Sequence, residues 1–394
     1  MSIRPRPVII VTGDFVRTGG MDRANLALAE YLANHPEVAS HVHLVAHRAE
    51  PALANHQRVT FHPVPKPLGS YWLAGPMLDR AGRRLAQSID GALLVVNGGN
   101  CRSPLVSANW VHYVHAAWNP NSFAGTCQAS LPRRVKNHLA WNAFLRQERQ
   151  AFQQAPLLIA NSHLTARQLS SFYQVPESKI QVVYYGIDTN LFKQITPEER
   201  ITARKNLNIL SDRPTALFVG SLGDARKGFD ILFEAWSRLV ASHGAANPLL
   251  LVVGAGAGLD EYRQKAAHFV ESDSIRFLGF RTDVPQVLAA GDILVSPNRY
   301  EAYGLGVHEA LCRGLPVLVS RSSGIAERLT DVHYTRTDLF TLSEDDIHMA
   351  LTNGLSRWLT SPASFQAIAG VAGAALSQQS WPDQMSQLFA LLDQ

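Results

Sequence analysis

The sequence predicts an α/β chain built as two doubly wound, Rossmann-like halves. Three observations carry this. Short apolar runs recur through all 394 residues. They are continuous rather than alternating, as strands buried on both faces of a parallel sheet must be. Helix-length segments separate them, which implies right-handed βαβ units. At about 150 residues per domain, the length allows two or three domains.

In the first half the runs are Val8–Val11, Val42–Val45, Leu93–Val96, Leu157–Ala160 and Gln181–Tyr184. In the second they are Ala216–Val219, Leu249–Val253, Ile275–Leu278, Ile293–Ser296 and Val317–Ser320. Between them the spacing turns helical: Phe229, Leu232, Phe233, Trp236 and Leu239 fall on one face. Pro197 to Asn208 reads as a helix, with Thr196 as its N-cap and Glu198 and Glu199 in its first turn. Ser380 to Gln394 is helical in pattern. The domain expectation is 1–188, then 189–375, then a helix over 376–394 that crosses back to the first domain. Ligands of open α/β sheets bind outside the carboxyl ends of the strands. Two such domains face to face would leave a deep cleft.

Composition narrows the class. Hydrophobic residues make up 46% and charged residues 17%, a globular mixture that excludes a disordered or fibrous chain. The three cysteines, Cys101, Cys127 and Cys312, are odd in number and form no CxxC pair. A disulfide framework or structural zinc is therefore not expected, and a reducing compartment fits. The apolar run near the N-terminus is only Val8 to Val11, and no stretch approaches the ~20 residues of a membrane span. A cytoplasmic protein is expected, with peripheral attachment to the inner membrane face left open. Residues 1–190 hold 18 Lys+Arg against 10 Asp+Glu, and the rest 18 against 22. A basic half beside an acidic half suggests two domains with different tasks. No nucleic-acid motif accompanies the basic half.

The most informative segment runs from Ser296 through Asn298, Arg299, Glu301, Tyr303 and Gly304 to Leu311. It leaves a strand and opens a helix. Gly304 and Gly306 permit close backbone approach, and a helix N-terminus is a natural phosphate seat. Glu301 and Glu309 would lie roughly 12 Å apart along a helix. A glycosidase pair needs roughly 5–9.5 Å, so each is better read as a separate acceptor from hydroxyls. Solvated carboxylates are the alternative. In Phe218 to Asp230, a glycine loop again joins strand to helix, with Arg226 and Lys227 placed to meet a diphosphate. The Lys-Gly order is not a P-loop, and two solvated cations are the plainer alternative. Gly19 and Gly20 could bring the first-strand loop against a ligand. Gly254, Gly256 and Gly258 are spaced GxGxG, not as the dinucleotide GxGxxG, which weakens a nicotinamide reading.

His112 and His115 are three apart in Trp110 to Trp118. A metal would need a third ligand that the sequence does not offer, so His115 is read as a polar cleft residue, with a satisfied buried histidine as the alternative. Leu131 to Phe152 carries Arg133, Arg134, Lys136, Arg146 and Arg149 among Leu131, Val135, Leu139, Phe144 and Leu145. An ordinary surface helix is favoured there over a membrane-surface one.

Together these segments resemble the retaining GT-B glycosyltransferases of family 4 (glycosyl transferases group 1). The likeness spans nearly the whole chain. It takes in Gly19-Gly20 with the helix at Leu28–Leu32, Asn161-Ser162, and Tyr185-Gly186-Ile187-Asp188 with Phe192. It continues through Arg226-Lys227-Gly228, Gly254–Gly258, Phe277–Phe280, Glu301 to Glu309, Gly314–Val317 and Gly324–Glu327. The resemblance implies a nucleotide-sugar donor held mainly by the second domain. Lys227 and Arg226 would hold the diphosphate. Glu309 would bind the ribose and Glu301 the donor sugar, with the Ala302, Tyr303, Gly304, Leu305 and Gly306 backbone close by. Phe280 and Arg281 would contact the base. Gly254 would line the donor site. Gly19 and Gly20 would approach the diphosphate from the first domain, and His115 matches the family's sugar-proximal histidine. His115, Arg226, Lys227 and Glu301 are the implied catalytic set. Many relatives carry Arg where this chain has Ser221, so the cationic role moves to Arg226 and Lys227.

The implied activity is retaining, metal-independent transfer of a hexose, with domain closure excluding water. The acceptor would be a hydroxyl of a glycan or lipid-linked glycan in polysaccharide or cell-envelope assembly. UDP-glucose is the first donor expected and GDP-mannose the next, with no cofactor beyond the donor. The alternatives are a non-catalytic nucleotide-sugar or glycan-binding subunit and a GT-B nucleotide-sugar epimerase; a nicotinamide dehydrogenase is more distant.

Overall fold

A computed structural model describes residues 5–119, 131–243, 246–268, 272–331, 341–342 and 346–392. Cys127 lies outside them, as do the side chains of Leu131, Arg133 and Arg134. The chain divides into two units. The first ends at Gly186 and takes back the chain from Ser380; the second runs from Ile187 to Gln379.

The strands in chain order are β1 (Arg6–Val11), β2 (Asp14–Phe15), β3 (Ala39–Ala46), β4 (Arg48–Ala49), β5 (Val59–Pro63), β6 (Leu93–Val96), β7 (Val106–Val111), β8 (Leu158–Ala160) and β9 (Ile180–Val182). In the second unit they are β10 (Thr215–Val219), β11 (Leu249–Val253), β12 (Ile275–Gly279), β13 (Ile293–Ser296), β14 (Val317–Ser320) and β15 (Thr341–Leu342). The first sheet has the order β5-β3-β1-β6-β7-β8-β9 and the second β12-β11-β10-β13-β14-β15. Every pairing in both is parallel. Each sheet starts at an inner strand, adds two neighbours on one side, then reverses to fill the other, which is the doubly wound plan. β2 and β4 form a two-stranded ladder of their own.

All ten apolar runs are strands, within one to three residues at their ends. Besides the two-residue β2 and β4, three strands of the large sheets were missed, and they are instructive. β5, β7 and β15 carry Thr60 and His62, Ser107 and Asn109, and Thr341. These polar residues break the apolar run that marks a doubly buried strand.

The helices lie where the spacing put them. Phe229, Leu232, Trp236 and Leu239 of the helix Phe229–His243 are buried against the second sheet's core, while Phe233 is only partly covered. Thr196 caps Pro197–Asn206 by accepting from the Glu199 amide at 3.2 Å. The helix Leu131–Gln154 buries Glu148, Ala151 and Phe152 at its carboxyl end and exposes Val135 and Leu139 near its start. The last helix, Trp381–Leu392, belongs to the first unit, where Trp381 packs on Tyr185 at 5.7 Å between ring centroids. Among the described residues no single helix is long and apolar enough to cross a membrane.

Candidate active site

In the second unit the carboxyl ends of β10 and β11 are held backbone to backbone. The Leu222 amide donates to Ala255 at 3.0 Å and Gly258 to Leu222 at 3.2 Å. Gly254 and Gly256 have φ of 147° and 150°, and a Cβ on either would come 1.8 Å from the carbonyl oxygen of Gly220 or Leu222. The GxG spacing thus has a local cause: two loops approach too closely for side chains. Ser221 is exposed between them.

The next turn, Ala225–Lys227, is capped by Asp224, whose carboxylate accepts from the Arg226 amide at 3.1 Å. The Arg226 guanidinium folds back on the same carboxylate, Nε at 3.0 Å from both oxygens. Burial pushes the Asp224 carboxyl up, but Arg226's hydrogen bonds and charge outweigh it and hold the group below its ordinary value. The turn is also tied to the strand opposite. The Arg299 amide donates to the Arg226 carbonyl at 2.7 Å, and its guanidinium reaches the Ala225 carbonyl at 3.0 Å and both oxygens of Asp230 at 2.7 and 2.6 Å. Sequence reasoning gave Arg299 and Asp230 no role. A cation two residues before Glu301, in the same loop, was the available signal.

This bracing delivers Lys227 to Glu301, and the two side chains form a direct, partly exposed ion pair. The Glu301 backbone is fixed by the loop after β14, its amide donating to Ser322 at 3.1 Å and its carbonyl accepting from Gly324 at 3.0 Å. Gly304, at φ 107°, turns the chain into the helix Leu305–Cys312; a Cβ there would meet Ile325 Cγ2 at 2.8 Å and Glu301 Cγ at 3.6 Å. Gly306 differs, because a Cβ there would meet nothing within 4 Å. Ala302, Tyr303, Leu305 and Glu309 are buried around this turn. The Tyr303 hydroxyl lies 2.9 Å from His308 Nδ1, and burial lowers that imidazole to about 4. Of the base-contact candidates at the end of β12, Phe280 is 67% exposed, and Arg281 is paired with Asp283 at 2.7 and 2.5 Å. The arrangement thus gathers a cation, a carboxylate and a helix N-terminus at the ends of the neighbouring strands β10 and β13. That set suits an anion bearing a hydroxylated group.

In the first unit, His115 opens a short turn after β7. Its Nδ1 lies 2.6 Å from Glu148 Oε1 and its amide donates to Oε2 at 3.0 Å. The Tyr173 hydroxyl donates to the same carboxylate at 2.5 Å, and burial with the nearby Glu148 charge pushes that phenol up. Glu148 fixes the imidazole's orientation and so acts as a positioning residue, one that sequence reasoning missed. Its signal was a lone acid between Arg146 and Arg149. His112 is not beside His115 in function: it is buried, its Nδ1 bonded to the Tyr185 hydroxyl and its Nε2 3.1 Å from Asn25 Oδ1 and Asn97 Nδ2. Burial drops it to about 3. Gly19, at φ 84°, precedes the helix that begins at Gly20, and Asp22 in its first turn is pushed up to about 6 by burial and then by Asp14.

Comparison with known proteins supplies the context for this geometry. A family described as Glycosyl transferases group 1 matches residues 213–361, and one described as Glycosyltransferase Family 4 matches 18–191. A lipopolysaccharide core biosynthesis mannosyltransferase of Rhizobium meliloti is 30% identical over 50% of this chain and 52% of its own. A D-inositol 3-phosphate glycosyltransferase of Actinosynnema mirum is 30% identical over 63% of this chain and 59% of its own. The chain spans about half the length of the curated relatives it matches. Among solved structures, the lipopolysaccharide glycosyltransferase WaaG aligns at a TM-score of 0.77 with 21% identity, covering 98% of this chain and 99% of that one. Anabaena HepE, solved with UDP and glucose, aligns at 0.69 with 20% identity, covering 99% of each. These likenesses show the GT-B fold.

Proposed function

The chain belongs to the family 4, group 1 glycosyltransferases, and from that premise we propose that it moves a hexose from a nucleotide-sugar to a hydroxyl of a glycan or glycolipid acceptor, with retention at the anomeric carbon. The observation that carries this reading is the Lys227–Glu301 pair lying against Gly304, with open space over Gly306. A donor separates the pair's duties: the diphosphate takes the ammonium and the helix N-terminus, and the sugar hydroxyls take the carboxylate. Glu309 binds the ribose, and Phe280 with Arg281 flanks the base.

The chemistry follows from charge. Breaking the anomeric C–O bond leaves negative charge on the departing diphosphate and positive character on the sugar. With the donor bound, Lys227 and the amides at Gly304–Gly306 stabilise that charge, and Arg226, held on Asp224, adds its field. The acceptor oxygen forms the new bond on the face the diphosphate leaves, and its proton passes to a diphosphate oxygen. His115, oriented by Glu148, serves the sugar. In this scheme protein cations supply the positive charge, so no metal is required. UDP-glucose is the first donor to test, in keeping with the HepE structures with UDP-glucose; a mannosyltransferase among the relatives makes a mannose donor the second. Val135 and Leu139, exposed on the helix Leu131–Gln154, are the surface offered to a lipid-linked acceptor.

A thermal-shift panel of UDP- and GDP-sugars tests the reading, because a ligand at 100 times its Kd stabilises by about 2.7 kcal/mol. One donor should raise the melting temperature of the wild type and fail to do so in Lys227→Ala. No response to any donor would end the proposal; binding without turnover across acceptors would make the chain a binding subunit.

A further inference from the structure

The first unit carries a cavity lined by none of the residues assigned to the donor. It measures about 410 Å³ and is lined by His47, Arg48, Pro63, Val64, Pro65 and Lys66. That is within the size range of small-molecule sites. All six residues sit at the carboxyl ends of β3 and β5, where ligands of such sheets bind.

The lining is positively charged, and its charges are held in place. Arg48 places Nε 3.1 Å and one terminal nitrogen 2.9 Å from the two oxygens of Asp14, which is fully buried. The Tyr71 hydroxyl donates to the same carboxylate at 2.7 Å. Asp14 is thus occupied in orienting Arg48 and does not line the cavity, nor does Asp22. Arg48 remains largely exposed at its other face, at 64% of its side chain. The Lys66 ammonium lies 3.1 Å from the centre of the Tyr71 ring, a contact that fixes the chain, and it feels Asp14 and Asp22 without a direct ion pair among the described residues. His47 bonds the Val64 carbonyl through Nδ1 at 2.8 Å, and its buried Nε2 has no hydrogen-bond partner among the described residues. Pro63, Val64 and Pro65 form a stiff wall. Two oriented cations in one recess complement an oxyanion, and no carboxylate in the lining competes for it.

We propose that this cavity seats the anionic group, phosphate or carboxylate, of an acidic glycan acceptor. The chain then selects charged over neutral acceptors in the first unit, while the second holds the donor. The word acceptor rests on the glycosyltransferase reading; the anion site does not.

Titration calorimetry on the full chain tests it with three probes: glucose 6-phosphate, glucuronic acid and glucose. UDP-glucose binding is measured in parallel. At least one charged probe should bind about tenfold tighter than glucose, and that advantage should vanish in Lys66→Met. UDP-glucose binding should stay within about twofold of wild type in this variant, since no residue assigned to the donor lines the cavity. Preference for the phosphate or for the uronate identifies the source of the charge. Arg48→Gln, which keeps a donor toward Asp14, guards against loss of folding and should reproduce the effect. Equal binding of charged and neutral probes, or an advantage that survives both variants, overturns the proposal. An anion preference lost in Lys66→Met, in a chain that binds no sugar nucleotide, would sink the donor reading and leave the anion site standing.

Discussion

The carboxyl ends of the two sheets are finished by different means. In the second unit, β10 and β11 end in glycine loops that touch backbone to backbone, and the nearby side chains pair as ions, Arg226 with Asp224, Arg299 with Asp230 and Lys227 with Glu301. In the first unit, the strand ends carry buried polar side chains. Thr12, Asn97, His112 and Asn161 follow β1, β6, β7 and β8, and they bond to one another through Asn25 and Tyr185. The sheets share a winding order, so the frame does not dictate the finish. Bare backbone suits a phosphate, which accepts from amides and needs no individual side-chain shape. Interlocked side chains suit a site that must discriminate.

The largest expected effect tests that contrast directly. Gly254→Ala puts a methyl 1.8 Å from the Gly220 oxygen at a φ of 147°. It should destabilise the protein by about 4 kcal/mol or more, read as a large drop in melting temperature or loss of soluble protein. A melting temperature within a degree or two of wild type would show that the loops can part, and that backbone packing does not set their geometry.

Next in size is chemistry without stability. Lys227→Ala removes a partly exposed pair, so the melting temperature should barely move. Donor turnover should fall by about 100-fold, near 3 kcal/mol of transition-state stabilisation. Glu148→Gln should behave otherwise, because the buried carboxylate meets three donors. Both stability and turnover should fall, the first by roughly 1–3 kcal/mol. Equal stability losses in the two variants would erase the distinction between the units.

The sequence showed the second unit's site more fully than the first's. Glycines and a Lys-Gly pair sit within a few residues of a strand end, and the backbone does most of the positioning there. Lys227, Glu301 and Gly304 were therefore readable in order. Arg299 and Asp230 escaped because a brace acts across loops and leaves no local spacing. In the first unit, Glu148 is 33 residues from His115, and Asp14 is 34 from Arg48. Such pairs exist only once the sheet has brought the strand ends together. β5 and β7 escaped for a related reason: their polar residues face partners that the linear pattern cannot show.

Acid probes both units at once. His112 in the first and His308 in the second are buried, and burial takes them from an ordinary 6.5 to about 3 and about 4. A folded value below the unfolded one means that folding excludes the proton. Stability is then complete above pH 6.5 and is lost as pH falls through 6.5 toward 3 for His112 and toward 4 for His308. The slope is up to about 1.4 kcal/mol per pH unit for each histidine. Circular-dichroism melts between pH 8 and 4 should show this fall, and His308→Gln should flatten its share. A midpoint that stays level from pH 7 to pH 5 would contradict the burial argument for both.

The smallest effect is the sharpest on the backbone claim. Gly306 lies in the first turn of the helix Leu305–Cys312, and its Cβ would point into space empty to 4 Å. Neither packing nor φ asks for glycine there. Alanine is the better helix former, so Gly306→Ala should raise stability by about 0.5–1 kcal/mol. If the diphosphate approaches this amide, the same methyl stands in its path, and donor affinity should weaken by about tenfold, near 1.4 kcal/mol. The two readouts are expected to move in opposite senses, which a folding defect cannot produce. A variant that is both more stable and fully able to bind donor would place the phosphate away from this helix, and Lys227 would then have to hold it without the helix amides.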